Sequence, residues 1–358
     1  MTTRSVGIVG AGVMGVGIAQ VVLEAGDRVV LHDVDPGSLE RAHDLLGAGL
    51  LRRATSAGLT GAAARAWVGD HLARLETATT VEALGAAGPD LVIEAALEDL
   101  DTKRAIFAAL EAVVAAGTIL ATNTSALRVR DIAAATLRPE RVLGLHWFNP
   151  APLMALVEVV ATEQTAPTVV ERAIEAILAW GRTPVRSADT PGFIVNRVNR
   201  PFTIEALRLL EAGDASVEEI DLAMRAAGFP MGPFELMDLA GLDVNLAAAR
   251  GVWEGLGRPD RFRPSQIQER LVASGRLGRK SGEGFYGYDD TGRRGDPARE
   301  FARAEPTAPG ANGAAIVARI TAAIDAEAER AASGRVASRD DIALALRLGA
   351  GHPLRSTP

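Results

Sequence analysis

The sequence predicts an α/β protein in which a doubly wound parallel sheet with a helical excursion is followed by an all-α C-terminal domain. Three observations carry this reading. A glycine-rich turn joins an apolar run to a helical pattern within residues 5–26, and a second apolar run follows at 27–33. Apolar runs then alternate with helical periodicity up to about residue 160, as parallel strands and their crossover helices do. Beyond residue 189 the apolar spacing is helical.

Composition narrows the classes of partner. A chain of 358 residues suits two domains better than one core. Its 48% apolar and 23% charged residues are those of an ordinary globular protein. A net charge of -7 argues against nucleic acid or an anionic membrane as the main partner. With no cysteine, disulfides, thiolate metal sites and cysteine nucleophiles are excluded, and no metal is expected. No apolar run reaches transmembrane length, and the first strand starts too early to leave room for a signal peptide, so a cytoplasmic protein is expected. Of the 38 basic residues only two are lysines, Lys103 and Lys280. A chain that otherwise uses arginine keeps them where a compact ammonium is of use.

The first element, SVGIVGAGVMG, places Gly10, Gly12 and Gly15 between a strand and a helix, with Val13 and Met14 inside the motif. Gly10 permits a tight turn, Gly12 lets the backbone approach a pyrophosphate, and Gly15 allows close helix packing. The N–H groups of the helix terminus suit phosphate. DRVVLHDVD follows, and Asp33 at its end would accept both ribose hydroxyls of an adenosine and repel a 2′-phosphate. Strand, GxGxxG, helix, strand and acidic residue together predict a Rossmann-type domain that binds NAD.

Residues 36–80 form the helical excursion, expected as two helices broken near Gly58. The sheet resumes with DLVIEAA, continues through a helix from Leu100 to about Val114, and returns at GTILATNTS. Ligands of such sheets lie at the carboxyl ends of strands. Glu98, Asn123, Ser125 and His146 each follow an apolar run and could line one cleft; taken alone, Ser125 reads better as a helix cap before LRVRDIAAA. RVLGLHWFNPAPLMALVEVV sets His146 and Glu158 on two runs joined by FNPAP. Histidine exchanges a proton near neutrality, and a carboxylate on an adjacent strand would fix its tautomer.

DTPGF, at 189–193, marks the boundary to a long helical pattern from Phe193 to Leu210, and a further helix follows Ser216. Residues 290–312 read as a linker rich in Gly, Pro and Ala. After it, Ala337-SRDDIALALRLGAGHP repeats Ala215-SVEEIDLAMRAAGFP, with the preceding helices in the same offset and Ala318 in the place of Asn196. The expected division is therefore 1–188, 189–289, a linker 290–312, and 313–358 as a truncated repeat with a structural or interface role.

The motifs VGIVGAGVMG, EAALEDLDTKRAIF, ATNTSAL, GLHWFNPAPLMALVEVV, DTPGFIVNR, GFPMGPFELMDLAGLD and GRLGRKSGEGFYGY occur in order from Val6 to Tyr288. In this set the sequence resembles the L-3-hydroxyacyl-CoA dehydrogenases, including 3-hydroxybutyryl-CoA dehydrogenases of β-oxidation and related fatty acid metabolism. The resemblance implies NAD-dependent, reversible oxidation of a 3-hydroxyacyl-CoA, with His146 as catalytic base and Glu158 as its partner. It puts Ser125 and Asn196 on the substrate oxygens, and Glu98, Lys103, Asn149 and Lys280 at the cofactor end, joining Asn123. It also implies a homodimer through the helical domain, and dehydrogenase activity without a fused hydratase. The excursion LLGAGLLRRATSAGLTG lacks the family's lysines for the CoA phosphate, a role Arg52 and Arg53 could take. A free 3-hydroxy acid or a carrier-protein thioester stays open as substrate, and a non-catalytic NAD-binding protein stands as the remote alternative.

Overall fold

The computed structural model describes residues 3–301 and 313–353. The chain divides into two units, residues 1–189 and 190–358. In the first, the motif forms strand β1 (Ser5–Val9), helix α1 (Val13–Glu24) and strand β2 (Arg28–His32). Apart from their first residues both strands are buried, as in a sheet covered on both faces. The excursion is α2 (Pro36–Ser56) and α3 (Gly61–Leu72), packed on each other. Asp35 caps α2 by accepting from the Gly37 N–H at 3.1 Å, and Pro36 sits in the first turn, where a missing N–H costs nothing. The break contains Gly58 in the left-handed region, φ +86°.

The excursion ends before residue 80. Leu75–Ala78 is strand β3, hydrogen-bonded beside β2 at the sheet edge. Its Glu76 and Thr77 are exposed, so this short polar edge strand shows no apolar alternation. There follow α4 (Val81–Ala86), β4 (Leu91–Glu94), α5 (Leu100–Val113), β5 (Ile119–Thr122), α6 (Val129–Ala133), β6 (Val142–Trp147), β7 (Leu156–Ala161), α7 (Pro167–Ala179) and β8 (Thr183–Ala188). The strand order is β3-β2-β1-β4-β5-β6-β7-β8. All neighbours run parallel except β6 and β7, which are antiparallel. The FNPAP segment is too short for the crossover that a parallel pair needs.

Ser125 does not cap α6. The N–H groups of Val129 and Arg130 donate to the Asp189 carboxylate at 2.9 and 2.8 Å, so the last residue of the first unit is the capping group.

The second unit holds α8 (Val195–Val198), α9 (Arg200–Ala212), α10 (Val217–Ala226), α11 (Pro233–Ala240), α12 (Leu242–Gly255), α13 (Gln266–Ala273), β9 (Tyr286–Tyr288), β10 (Arg294–Pro297), α14 (Gly313–Ser333) and α15 (Arg339–Ala350). The single helix expected from Phe193 to Leu210 is two, broken at Asn199 because Pro201 has no N–H for a continuing ladder. Ser216 and Glu219 close a capping box on α10. The expected linker is partly structured: β10 pairs with β9, and Arg294 lies over the Tyr286 ring and pairs with Glu235. Residues 302–312 of that segment lie outside the described residues.

Two buried carboxylates bind the loop 278–288 to the helices. Asp238 accepts from the Phe285 and Tyr286 N–H groups at 3.0 and 2.9 Å, and Asp221 accepts from the Tyr286 hydroxyl at 2.8 Å. Burial pushes Asp221 up to about 7 and Asp238 up to about 6, against the pull of these donors. The repeat, α14 and α15, packs on α8, α9 and α10.

Candidate active site

The carboxyl ends of β1, β2, β4, β5 and β6 share one edge of the sheet, and the strand order reverses between β1 and β4. Gly10 lies there at φ +104°, and a Cβ on it would come within 2.6 Å of the Ala95 carbonyl oxygen. A Cβ on Gly15 would lie 1.8 Å from the Gly10 carbonyl oxygen, so only glycine lets α1 sit this close to the turn. At Gly12, by contrast, a Cβ would meet no atom within 4 Å. The Gly12 backbone thus faces open space, and α1 starts with no side-chain cap and no acidic residue in its first turn. Val13 is 74% exposed beside it, while Met14 is partly buried against the core. Asp33 follows β2; its two oxygens accept from the Ala11 and Asp35 N–H groups at 2.9 and 3.0 Å. Each oxygen keeps a lone pair for a ribose hydroxyl. An uncapped helix terminus, an open glycine and a placed carboxylate fit an adenine dinucleotide.

Next to this turn is a charged cluster. Lys103, 1% exposed, sets its ammonium 2.6 Å from Glu94 and 3.3 Å from Glu98. It therefore lies beneath the surface, where it holds Glu98 rather than facing solvent. Glu98 accepts from the Thr124 hydroxyl at 2.7 Å and from the Ser125 and Ala126 N–H groups at 2.8 and 3.1 Å. Burial raises its carboxyl, but Lys103 and these donors outweigh burial and hold it below the usual carboxylate range. The segment carrying Ser125 is fixed in this way, and Ser125 itself is exposed.

Glu94 is a residue the motifs did not single out. It is fully buried at the end of β4 and accepts from Lys103, the Thr122 hydroxyl and the Ala96 N–H at 2.6–2.7 Å. The signal was a carboxylate closing an otherwise apolar strand, LVIE.

His146 and Glu158 face each other across the antiparallel pair, in register. Nδ1 of His146 lies 2.5 Å from a Glu158 oxygen, with the histidine 5% exposed and the glutamate fully buried. A buried carboxylate there selects the tautomer with hydrogen on Nδ1, in which Nε2 is the basic ring nitrogen. Asn123 supports the same strand end, its side-chain oxygen accepting from the Trp147 N–H at 2.9 Å. The Phe148 ring lies 4.5 Å from the imidazole, and Asn149 is exposed in the turn beyond.

The remaining expected site residues are carried by other elements. Arg52 and Arg53 are exposed near the end of α2, Arg53 with Glu24 at 3.6 Å. Asn196 on α8 and Lys280 belong to the second unit, where the Lys280 ammonium pairs with Asp243 at 2.6 Å.

A nucleotide turn on a doubly wound sheet, with a histidine–carboxylate pair at the same strand ends, defines a dinucleotide-dependent oxidoreductase. Comparison with known proteins gives the family. The chain matches the 3-hydroxyacyl-CoA dehydrogenase NAD binding domain over residues 5–190 and the 3-hydroxyacyl-CoA dehydrogenase C-terminal domain over 192–288. It is 48% identical over 289 residues to 3-hydroxyadipyl-CoA dehydrogenase of Escherichia coli (strain K12), covering 80% of this chain and 60% of that protein. The chain thus spans about 60% of that relative's length. The crystal structure of 3-hydroxybutyryl-CoA dehydrogenase from Escherichia coli K12 superposes with a TM-score of 0.86 at 37% identity, over 99% of this chain and 90% of that one. That of (S)-3-hydroxybutyryl-CoA dehydrogenase from Ralstonia eutropha gives a TM-score of 0.76 at 37% identity, over 81% of this chain and 100% of that one. The protein belongs to the 3-hydroxyacyl-CoA dehydrogenase family, whose cofactor is NAD.

Proposed function

We propose that this protein oxidises an L-3-hydroxyacyl-CoA to the 3-oxoacyl-CoA, reversibly, with His146 as the proton-transferring group. The observation that supports this most directly is the 2.5 Å contact between His146 Nδ1 and the buried Glu158. When bound, NAD supplies the acceptor for the hydride that leaves C3. The turn at Gly10, Gly12 and Gly15, with Val13 and Met14 beside it, receives the diphosphate at the start of α1, and Asp33 receives the adenosine ribose. His146 removes the hydroxyl proton at Nε2, and Glu158 balances the imidazolium that results. Ser125 and, from the second unit, Asn196 are assigned to the substrate oxygens. Glu98, Asn123, Asn149 and Lys280 are assigned to the cofactor end, with Lys103 acting by holding Glu98. Arg52 and Arg53 are assigned to the CoA phosphate.

The test follows NADH absorbance while the protein reduces acetoacetyl-CoA, with acetoacetate alongside. Turnover of the thioester alone is expected. Turnover of the free acid alone would replace the CoA reading, and NADH binding without turnover of either or of carrier-bound thioesters would remove the enzyme reading.

A further inference from the structure

The carboxylate that follows β2 has a second carboxylate close behind it. The Asp35 N–H donates to Asp33 Oδ1 at 3.0 Å, while Asp33 Oδ2 accepts from the Ala11 N–H of the glycine turn at 2.9 Å. Only Val34, exposed and uncharged, stands between the two acids. The side chain of Asp35 gathers three kinds of donor. Its Oδ1 accepts from the Gly37 N–H at 3.1 Å, and its Oδ2 accepts from the Ser38 hydroxyl at 2.8 Å and from Arg41 Nη2 at 3.1 Å. Arg41 Nη2 also donates to the Ser38 oxygen at 2.8 Å, so hydroxyl and guanidinium hold each other in place. The Ser38 hydroxyl first, then the Gly37 N–H and Arg41, hold the Asp35 carboxyl below the usual aspartate range.

Capping explains only part of this arrangement. Helix α2 needs an acceptor for its first N–H groups, and serine serves there as well as aspartate. Arg41 lies six residues beyond Asp35 and both side chains are exposed, so their ion pair adds little to stability. What the three donors share is the chemistry of a phosphate site: a backbone N–H at a helix N-terminus, a hydroxyl and a guanidinium. They converge on one point, and a carboxylate of this chain stands on it. NADP differs from NAD in a phosphate on the adenosine 2′-hydroxyl, and in dinucleotide domains an arginine near the acidic residue accommodates that phosphate. Arg41 is an arginine so placed, and Asp35 already engages it.

We propose that Asp35 is a second specificity-determining residue for the cofactor: its carboxylate occupies the Gly37 N–H, the Ser38 hydroxyl and Arg41, the donors that a 2′-phosphate would use. This rests on the assignment of Asp33 to the adenosine ribose. The two carboxylates exclude NADP in different ways. Asp33 repels the phosphate where the 2′-hydroxyl is received, whereas Asp35 withholds the groups that would stabilise it and adds a second negative charge. Loss of Asp33 alone therefore leaves the donors engaged, and NADP stays a poor ligand.

Fluorescence titration with NADH and NADPH, and calorimetry with adenosine 2′,5′-bisphosphate, read binding without turnover. Asp33→Asn should weaken NADH; unchanged NADH affinity would remove the ribose assignment and the proposal with it. In the Asp33→Asn background, Asp35→Ser should raise affinity for NADPH relative to NADH by about tenfold or more, the worth of one charge-assisted hydrogen bond to the phosphate. The bisphosphate should gain in parallel, since it carries the 2′-phosphate and no nicotinamide. Adding Arg41→Ala should erase both gains. No gain on Asp35→Ser, or a gain that survives Arg41→Ala, overturns the proposal. Should Asp35→Ser disturb the start of α2 and weaken NADH as well, Asp35→Asn must show the same gain in the ratio, for asparagine caps equally well and carries no charge. Its absence overturns the proposal equally.

Discussion

In the proposed mechanism His146→Ala removes the group that takes the substrate's hydroxyl proton while buried Glu158 holds its ring. Turnover should fall by about 10²–10⁴-fold, the usual worth of a positioned acid–base group, with NADH affinity by fluorescence titration unchanged. Equal turnover would remove His146 from the mechanism. Lys103→Met acts differently: it strands Glu94, fully buried, without its counter-charge, which costs about 3–5 kcal/mol in a chemical denaturation curve. His146 and Glu158 are legible in the sequence because each interrupts an apolar run. Glu94 carries the same signal, but a strand-terminal carboxylate has no chemistry of its own until its partners are known. The depth of Lys103 is also in the sequence, for Lys103, Phe107 and Leu110 share the buried face of α5 at helical spacing.

Whole elements depend on two backbone devices. Gly15→Ala places a methyl 1.8 Å from the Gly10 carbonyl oxygen, so α1 must retreat from the turn. Isothermal titration should then show NAD affinity lost together with a lowered Tm. Asp189→Ala uncaps α6 and should cost about 1 kcal/mol of stability. Buried strands and capped helices are readable because their residues fit one period and one set of end signals. Strand β3 is not, since two of its four residues are exposed and only pairing with β2 makes it a strand. The cap of α6 is equally hidden, because the carboxylate that makes it lies some sixty residues along the chain. The break between α8 and α9 can be read from Pro201 alone.

Across the molecule, acid and alkali act on different units. His32, 4% exposed in β2, has its imidazole lowered by burial, and neither ring nitrogen has a hydrogen-bond partner among the described residues. The unfolded chain therefore binds a proton that the folded first unit does not, so stability of that unit is lost as pH falls below about 6.5. Asp221 and Asp238 work the opposite way. Raised to about 7 and about 6, they hold protons in the folded second unit that the unfolded chain has released. Their contribution favours the fold near pH 4 and is lost as pH rises to 7, at about 1.4 kcal/mol for each pH unit that separates the folded midpoint from the unfolded one. Carboxyl NMR titration should place the two midpoints near those values, and ordinary aspartate midpoints would refute this account. Nothing in the sequence reveals it, because burial of an aspartate is decided by the loop 278–288 closing over it.

The packing of the repeat on α8, α9 and α10 also bears on how the protein responds to dilution. An association between separate chains weakens as they are diluted, and the Tm of an obligate dimer falls with concentration. A helix pair tethered to the helices it packs on is present at a local concentration of order millimolar whatever the bulk value. The Tm of the full chain's second unit should hold constant over a hundredfold dilution, about 100 µM to 1 µM, and a downward drift would show that its packing depends on a second chain. Because α14 and α15 belong to the same chain as α8, α9 and α10, the packing of these helices is a property of one molecule, indifferent to how many others are present.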